Sequence, residues 1–489
     1  MYIHSLNTFV QQSGVAFGTS GARGLVADMG DGLCWAYTAA FLQSVASDAN
    51  RVVLGHDLRP SSPRIAAACA AAIAASGREC IYVGALPTPA VAFYAAQLGA
   101  PAIVVTGSHI PFDRNGIKFY RANGEISKGD ELAMLAAQVE VPDTVVNAVL
   151  PAPNTLASAA YVQRYLDYFG AGALAGACVA VYEHSSVGRD VLRTILQALG
   201  AQVVSLGRTE IFVPIDTEAV RPEDVAQARQ WAGEHRFDAL LSTDGDADRP
   251  LIGDEHGEWL RGDVVGILCA QALQAQVVVT PVSSNTAVEL CGVFAQVLRT
   301  RIGSPYVIAG MDEALAQRTQ QTGPVVGYEA NGGFLLGSDV LQGDRSLQAL
   351  PTRDAVLPML ALLVLARQRG CKLSALSANL PKRFTASDRL QGFATDKSRA
   401  LLLQLQGNAV VLAQTLAPDS GAVIGTNQTD GLRVNFANGD IVHLRPSGNA
   451  PELRCYAEAE SAERAKRLCD ACLVRVAAEV WGADVFRPD

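Results

Sequence analysis

Hydrophobic positions recur in the same order three times along the chain. An apolar, β-branched run passes through a polar loop into an alanine-rich run with helical spacing, over RVVLGHDLRPSSPRIAAACAAAIAASGRECIYVG (51–84), ACVAVYEHSSVGRDVLRTILQALGAQVVSLG (177–207) and QVVVTPVSSNTAVELCGVFAQVLRT (276–300). The first two continue into another strand, and the third is read as strand, loop and helix. This rhythm predicts α/β units with parallel strand pairing. Identity between the copies is weak, so the repeat is one of architecture and not a solenoid period. The last stretch differs: DGLRVNFANGDIVHLRPSGNAPELRCYAEAES (430–461) alternates as antiparallel strands do around an N-G turn, then enters an amphipathic helix. It predicts a further α+β domain. LPAPNT (150–155) reads as a proline-rich linker, and DEHGEWLRGD (254–263) as a turn-rich join before a helix.

Composition narrows this picture. With 489 residues, and about 150 residues per domain as a prior, several domains are expected. Hydrophobic residues make up 49% and charged residues 18%, the latter below the roughly 25% usual in soluble proteins, which excludes disordered, collagenous and coiled-coil chains. Lys plus Arg number 39 against 48 Asp plus Glu, a formal charge of −9. Neither nucleic acid nor an anionic membrane is expected as a partner, so an anionic substrate has to be met by a local basic pocket. The longest apolar runs, Ala66 to Ala75 and Val356 to Ala366, are too short to span a bilayer. MYIHSLNTFVQQSG at the N-terminus has no basic stretch followed by an apolar core, so no secretory signal is expected. Ten cysteines are scattered, several inside apolar segments, and the Cys469/Cys472 pair sits in a helical pattern without the second pair a zinc site needs; a reducing cytoplasm is expected.

Four loops carry candidate chemistry. In PAIVVTGSHIPFDRNGIKFY (101–120) a strand ends in a turn exposing Ser108 and His109, with Lys118 on the following strand-like segment as a cation for a phosphoryl group or a proton transfer. The glycine pattern of a serine hydrolase, G-x-S-x-G, is missing. In LLSTDGDADRP (240–250), Asp244, Asp246 and Asp248 alternate after a strand, so that three hard oxygen ligands converge as Mg²⁺ prefers. An EF-hand is excluded because Arg249 stands where the loop needs glycine, and that arginine favours a phosphate neighbour. VVGYEANGGFLLG (325–337) offers Glu329 and Asn331, an acceptor and an amide suited to sugar hydroxyls. HLRPSGNAPELR (443–454) gathers Arg445, Ser447, Gly448, Asn449 and Arg454 around a tight turn fit for a phosphate.

Taken in order, these loops resemble the four signatures of the α-D-phosphohexomutase superfamily, the phosphomannomutases and phosphoglucomutases. TGSHIPFDRNGIK is similar to the phosphoserine loop, DGDADR to the metal loop, GYEANGG to the sugar loop and RPSGNAP to the phosphate loop, and FGTSGARG (17–24) matches an N-terminal signature. Ile110 and Asn331 depart from the usual pattern, and E-A-N-G at 329–332 resembles the sugar loop of eukaryotic phosphoacetylglucosamine mutases.

The resemblance implies a heart-shaped monomer: three related mixed α/β domains (1–152, 153–256, 257–372) and a smaller C-terminal α+β domain (373–489) around a central cleft. It implies a phosphoryl group carried on Ser108 beside Mg²⁺, with Ser108, Asp244, Asp246 and Asp248 as metal ligands. Arg23 reaches the site, Arg249 steadies the phosphoserine region, and Lys118 or His109 handles the hydroxyl proton. The implied reaction interconverts hexose 1-phosphate and 6-phosphate of mannose or glucose through a bisphosphorylated sugar, with hexose 1,6-bisphosphate as activator. Two alternatives are a glucosamine or N-acetylglucosamine phosphate mutase and a Mg²⁺-dependent sugar phosphatase. A non-catalytic homologue would be expected to lose Ser108 or an aspartate, and all are present.

Overall fold

The computed structural model describes residues 2–18, 21–145, 149–318, 323–447 and 451–481. Its first three sheets repeat one topology. In the first, the strand Arg51–His56 lies between Glu79–Ala85 and Ala102–Val105, parallel to both, and Arg114–Arg121 adds antiparallel to Ala102–Val105. In the second, Cys178–Tyr182 lies between Gln202–Leu206 and Ala239–Thr243, again parallel, and Pro250–Gly253 adds antiparallel. In the third, Val277–Pro281 lies between Gln296–Thr300 and Val325–Tyr328, and Phe334–Leu336 adds antiparallel, followed by Leu350–Asp354. The connection from third to fourth strand is therefore equivalent in each unit, and these three connections hold Ser108, the aspartates at 244–248, and Glu329 with Asn331.

Strand alternation explains how the first sheet is buried on both faces. Val52, Leu54, Ile103 and Val105 point to one side, against Tyr37 and Phe41 of the helix Asp31–Ser44 and Ile65 of the helix Ser62–Ala75. Val53 and Val104 point to the other, into a core shared with the helices Thr88–Gln97 and Leu156–Phe169 and with the second and third units. The expected join at 254–263 leads into the helix Gly262–Ala272. In the third unit the expected helix shrinks to Ala287–Leu290, and Gln296–Thr300 is instead a strand parallel to Val277–Pro281. Gly292, at φ +64°, ends the helical turn, and the residues after it fall on the open sheet edge, where pairing overrides helical spacing.

The C-terminal unit is a five-stranded antiparallel sheet in the order Phe384–Gln391, Glu452–Ala459, Ile441–Pro446, Leu432–Phe436, Val423–Asn427. The hairpin turn at Asn438 and Gly439 (φ +88°) is the expected N-G turn. Helices Thr395–Gln406, Ala409–Leu416 and Ala462–Trp481 accompany the sheet, and Cys469 and Cys472 are buried in the last as free thiols. No helix among the described residues is long and apolar enough to cross a membrane.

Candidate active site

The turn after the strand Ala102–Val105 places Ser108 in left-handed backbone, φ +53°, a conformation costly for a residue with a Cβ. Three groups hold it there. Thr106 Oγ1 accepts from the Ser108 amide at 2.8 Å and donates to Asp57 Oδ2 at 2.7 Å, which also accepts from the Gly107 amide at 3.3 Å. The buried Arg59 guanidinium donates to the carbonyls of Ser108 (2.9 Å), Ile110 (2.5 Å), Pro111 (2.8 Å) and Arg114 (2.9 Å), and lies over the Phe212 ring at 4.1 Å. A Cβ at Gly107 would sit 2.6 Å from Arg59 Cζ, so the clamp requires glycine there.

Ser108 Oγ donates to Asp244 Oδ2 at 2.6 Å and lies 3.3 Å from His109 Nδ1. The two loops meet this closely because a Cβ at Gly245 would be only 2.7 Å from the Ser108 carbonyl oxygen. Asp244, Asp246 and Asp248 are all buried and present oxygens within 4.8 Å of one another, with Ala247 at φ +57° turning the alternate residues inward.

Each carboxylate is held from behind. Asp244 Oδ1 accepts the amides of Asp248 and Arg249, both at 3.2 Å. Asp246 Oδ2 accepts from Thr88 Oγ1 at 2.6 Å and Lys118 Nζ at 2.7 Å. Asp248 Oδ2 accepts from Lys118 Nζ at 2.6 Å and from Arg353 Nη2 and Nε at 2.7 and 3.1 Å. The Oδ1 atoms of Asp246 and Asp248 are buried with no hydrogen-bond partner among the described residues. Burial and the charges of Asp246 and Asp248 hold the Asp244 carboxyl well above the usual carboxylate range. At Asp248 burial opposes ionisation, but Arg353, Lys118 and Arg249 outweigh it and hold the group well below that range. Two orphaned carboxylate oxygens beside a third, mutually repelling carboxylate form a donor set that suits a hard divalent cation.

Cations crowd the adjoining space. Burial and the facing charges of Arg249 and Arg353 lower the Arg23 guanidinium to about 10, the signature of positive charges lacking a full complement of anions. Burial and Arg249 likewise bring His109 down to about 3, against an opposing pull from Asp216, so its imidazole is neutral at physiological pH. Glu329 faces Arg353 Nη1 at 3.3 Å. Asn331 Oδ1 closes its own turn on the Gly333 amide at 2.9 Å, and the Asn331 carbonyl accepts from Thr217 Oγ1 at 2.7 Å.

In the C-terminal sheet Arg445 and Arg454 stand opposite each other in register. Arg445 Nε bonds Asp430 at 2.8 Å, the Ser447 amide bonds the Glu452 carbonyl at 2.8 Å, and Arg454 is 3.5 Å from Glu452. Burial raises the Glu218 carboxyl, with Asp216 adding to the rise, while Arg261, Arg454 and Arg249 counter it; the C-terminal sheet and the second unit thus share one charge cluster. Gly448 and Asn449 lie outside the described residues, as do Thr19 and Ser20 of the N-terminal signature.

Hydrogen bonds and ion pairs thus join Ser108, His109, Lys118, Asp244, Asp246, Asp248, Arg249 and, through Arg353, Glu329, whereas Asn331 closes its own turn and Arg445, Ser447 and Arg454 are bonded within the C-terminal domain. Sequence reading missed Arg59, Asp57, Thr88 and Arg353, and the loop carrying Phe212, Asp216 and Thr217. Arg59 follows the strand Arg51–His56 and Arg353 lies near the end of the strand Leu350–Asp354, in the polar segments DLRP and PTRD, where an isolated arginine reads as surface.

Comparison with known proteins adds to this geometry. The four models of the phosphoglucomutase/phosphomannomutase family match in order: alpha/beta/alpha domain I at residues 14–144, domain II at 159–257, domain III at 261–384 and the C-terminal domain at 395–473. A phosphomannomutase from Salmonella muenchen is 44% identical over 483 residues, covering 98% of this chain and 99% of that one. A phosphoglucosamine mutase from Deinococcus deserti is 31% identical over 382 residues, 74% of this chain and 80% of that one. The crystal structure of a phosphoglucomutase/phosphomannomutase family protein from Burkholderia thailandensis superimposes with a TM-score of 0.72 at 20% identity, covering 95% and 98% of the two chains.

Proposed function

Because the chain belongs to the phosphoglucomutase/phosphomannomutase family, we propose that it is a phosphohexomutase interconverting the 1- and 6-phosphates of mannose, glucose or both. Ser108 carries the phosphoryl group, and a hexose 1,6-bisphosphate is both intermediate and activator. The observation that carries this reading is Ser108 Oγ held 2.6 Å from Asp244, between three converging carboxylates and the cations Lys118, Arg249 and Arg23.

In the forward half-reaction the bond from Ser108 Oγ to phosphorus breaks and one from the sugar's O6 forms, and the O6 hydroxyl gives up its proton. His109, 3.3 Å from Oγ, or Lys118 handles that proton. Lys118, held by two carboxylates, contributes positive charge. The bisphosphate then reorients, and its other phosphoryl returns to Ser108. Asp244, Asp246 and Asp248 would hold Mg²⁺, which when bound supplies charge neutralisation to the transferring group. Glu329 and Asn331 meet sugar hydroxyls, while Arg445, Ser447, Gly448, Asn449 and Arg454 take the phosphate that is not being transferred. Room for reorientation and exclusion of water are both met if the C-terminal domain swings on the segment 370–385. Ten free cysteines fit a reducing cytoplasm.

Asn331 in the E-A-N-G turn favours a second reading, an amino-sugar phosphate mutase; the lower identity to a phosphoglucosamine mutase, 31% against 44%, weighs against it. A panel of mannose, glucose, glucosamine and N-acetylglucosamine 1-phosphates, assayed with Mg²⁺ and a trace of sugar bisphosphate, tests both. A loop gripping C3 and C4 tolerates the C2 epimers, so mannose and glucose should lie within about a hundredfold in kcat/KM, under about 3 kcal/mol. Preference for N-acetylglucosamine would move the assignment to the second reading. Release of free phosphate instead of an isomer would make the protein a phosphatase.

A further inference from the structure

Arg353 has no part in any of the motifs, yet it is among the most buried charged side chains of the cleft, at 2% exposure. It lies near the end of the strand Leu350–Asp354, and its neighbour Asp354 fixes where it points. Asp354 turns into the core, where it accepts from Tyr161 Oη at 2.7 Å and from Tyr165 Oη, and caps the next helix through the Val356 amide at 2.9 Å. Adjacent strand residues face opposite sides, so anchoring Asp354 aims Arg353 into the cleft.

The guanidinium then divides its donors between two loops. Nη2 and Nε hold Asp248 Oδ2 at 2.7 and 3.1 Å, leaving Oδ1 of the same carboxylate without a hydrogen bond and 3.7 Å from Arg249 Nε, and Nη1 reaches Glu329 Oε2 at 3.3 Å and Ser304 Oγ at 3.4 Å. A Cβ at Gly333, in the sugar loop, would meet Arg353 Cδ at 2.5 Å, so that loop is moulded on the arginine. The planar fork cannot tilt towards one carboxylate without changing its hold on the other.

Building on the phosphohexomutase reading, we propose that Arg353 is a positioning residue that couples occupancy of the aspartate cluster by a divalent cation to recognition of sugar hydroxyls by Glu329. A cation on Asp248 Oδ1 draws charge from that carboxylate and loosens its hold on the guanidinium. The guanidinium then orders Glu329 for the sugar, and a sugar hydroxyl on Glu329 acts back along the same fork. Such coupling is reciprocal, so each ligand tightens the other by the same factor.

Calorimetric titration of Mg²⁺ into the dephosphorylated protein tests this. It is run alone, with saturating glucose 6-phosphate, and with inorganic phosphate, which brings the charge without the hydroxyls. In wild type, glucose 6-phosphate should tighten Mg²⁺ at least about fivefold more than inorganic phosphate does. In Arg353→Met and in Glu329→Gln that ratio should fall to within about twofold of one. A ratio near one in wild type, or a fivefold ratio surviving in either variant, overturns the coupling. Should Arg353→Met fail to fold by circular dichroism, wild type and Glu329→Gln decide the matter. A wild type that binds no Mg²⁺ would overturn the metal reading along with the coupling, whereas Mg²⁺ binding with a ratio of one would overturn the coupling alone.

Discussion

Replacing Arg59 with lysine keeps the charge and removes the fork that shapes the phosphoserine turn. Arg59 donates to four carbonyls of the turn, at 2.5–2.9 Å, and an ammonium, a point charge with three donors, cannot reproduce the planar fork that spans all four. Hydrogen bonds from a charged donor contribute about 1.5–3 kcal/mol each. Three of the acceptors, the carbonyls of Ile110, Pro111 and Arg114, are only partly buried, so water recovers most of their loss. The Ser108 carbonyl is fully buried, and leaving it unpartnered costs about 1–3 kcal/mol. The clamp also offsets the left-handed backbone at Ser108, itself costing about 1–3 kcal/mol. A net loss of about 3 kcal/mol in the reactive geometry follows, which corresponds to a fall in kcat of about a hundredfold. Arg59 donates to the turn's backbone, so KM for the sugar phosphate should move less than about threefold. Steady-state kinetics with the 6-phosphate product coupled to a dehydrogenase read both quantities, and differential scanning fluorimetry reads the accompanying loss of stability. An Arg59→Lys enzyme with wild-type kcat and an unchanged thermal midpoint would refute the clamp.

Asp246→Asn removes one charge from the cluster and leaves Lys118 with a single carboxylate; kcat should fall by about a hundredfold or more with the fold retained by circular dichroism, and wild-type activity surviving exhaustive chelation would reject the metal assignment. Burial holds His184 and His443 down to about 4, each with Nε2 on a backbone carbonyl. Because their folded-state values lie below the ordinary 6.5, the stability they contribute is complete above about pH 6.5 and is lost as pH falls towards 4. Thermal midpoints between pH 7.5 and 4.5 should therefore fall less steeply for His443→Gln than for wild type, and parallel curves would contradict the argument. Arg445→Ala should raise KM and lower kcat while Ser108 is still phosphorylated by bisphosphate; unchanged kinetics would remove Arg445 from the phosphate site.

Much of this was legible in the sequence because strand ends carry the chemistry. An apolar run that stops at Gly-Ser or Asp-Gly-Asp announces both the end of a buried strand and the residues exposed there, so Ser108, the aspartates and Glu329 could be read locally. That the three loops are one connection in a repeated topology could not, since identity between the copies is weak and the equivalence appears only in strand order. The third unit's outer strand lies in a run with helical spacing, and its edge pairing with Val277–Pro281 is a long-range fact that local spacing does not record. The positioning residues escaped for the same reason: Arg59 acts on carbonyls about fifty residues away in sequence, and Arg353 on Asp248, 105 residues away. Asp57, two residues before Arg59, pairs with it at 3.3 Å, but nothing adjacent to either arginine records the distant partners.

The central claim is that Ser108 carries the phosphoryl group, and peptide mapping by mass spectrometry tests it most directly. Purified protein is treated with glucose 1,6-bisphosphate and Mg²⁺, digested, and compared with Ser108→Ala under the same conditions. The account predicts one added phosphoryl group, confined to the peptide containing Ser108, absent from Ser108→Ala, and accompanied by loss of mutase activity in that variant. An unmodified Ser108 in fully active enzyme, or a Ser108→Ala variant that isomerises hexose phosphate at the wild-type rate, would contradict it.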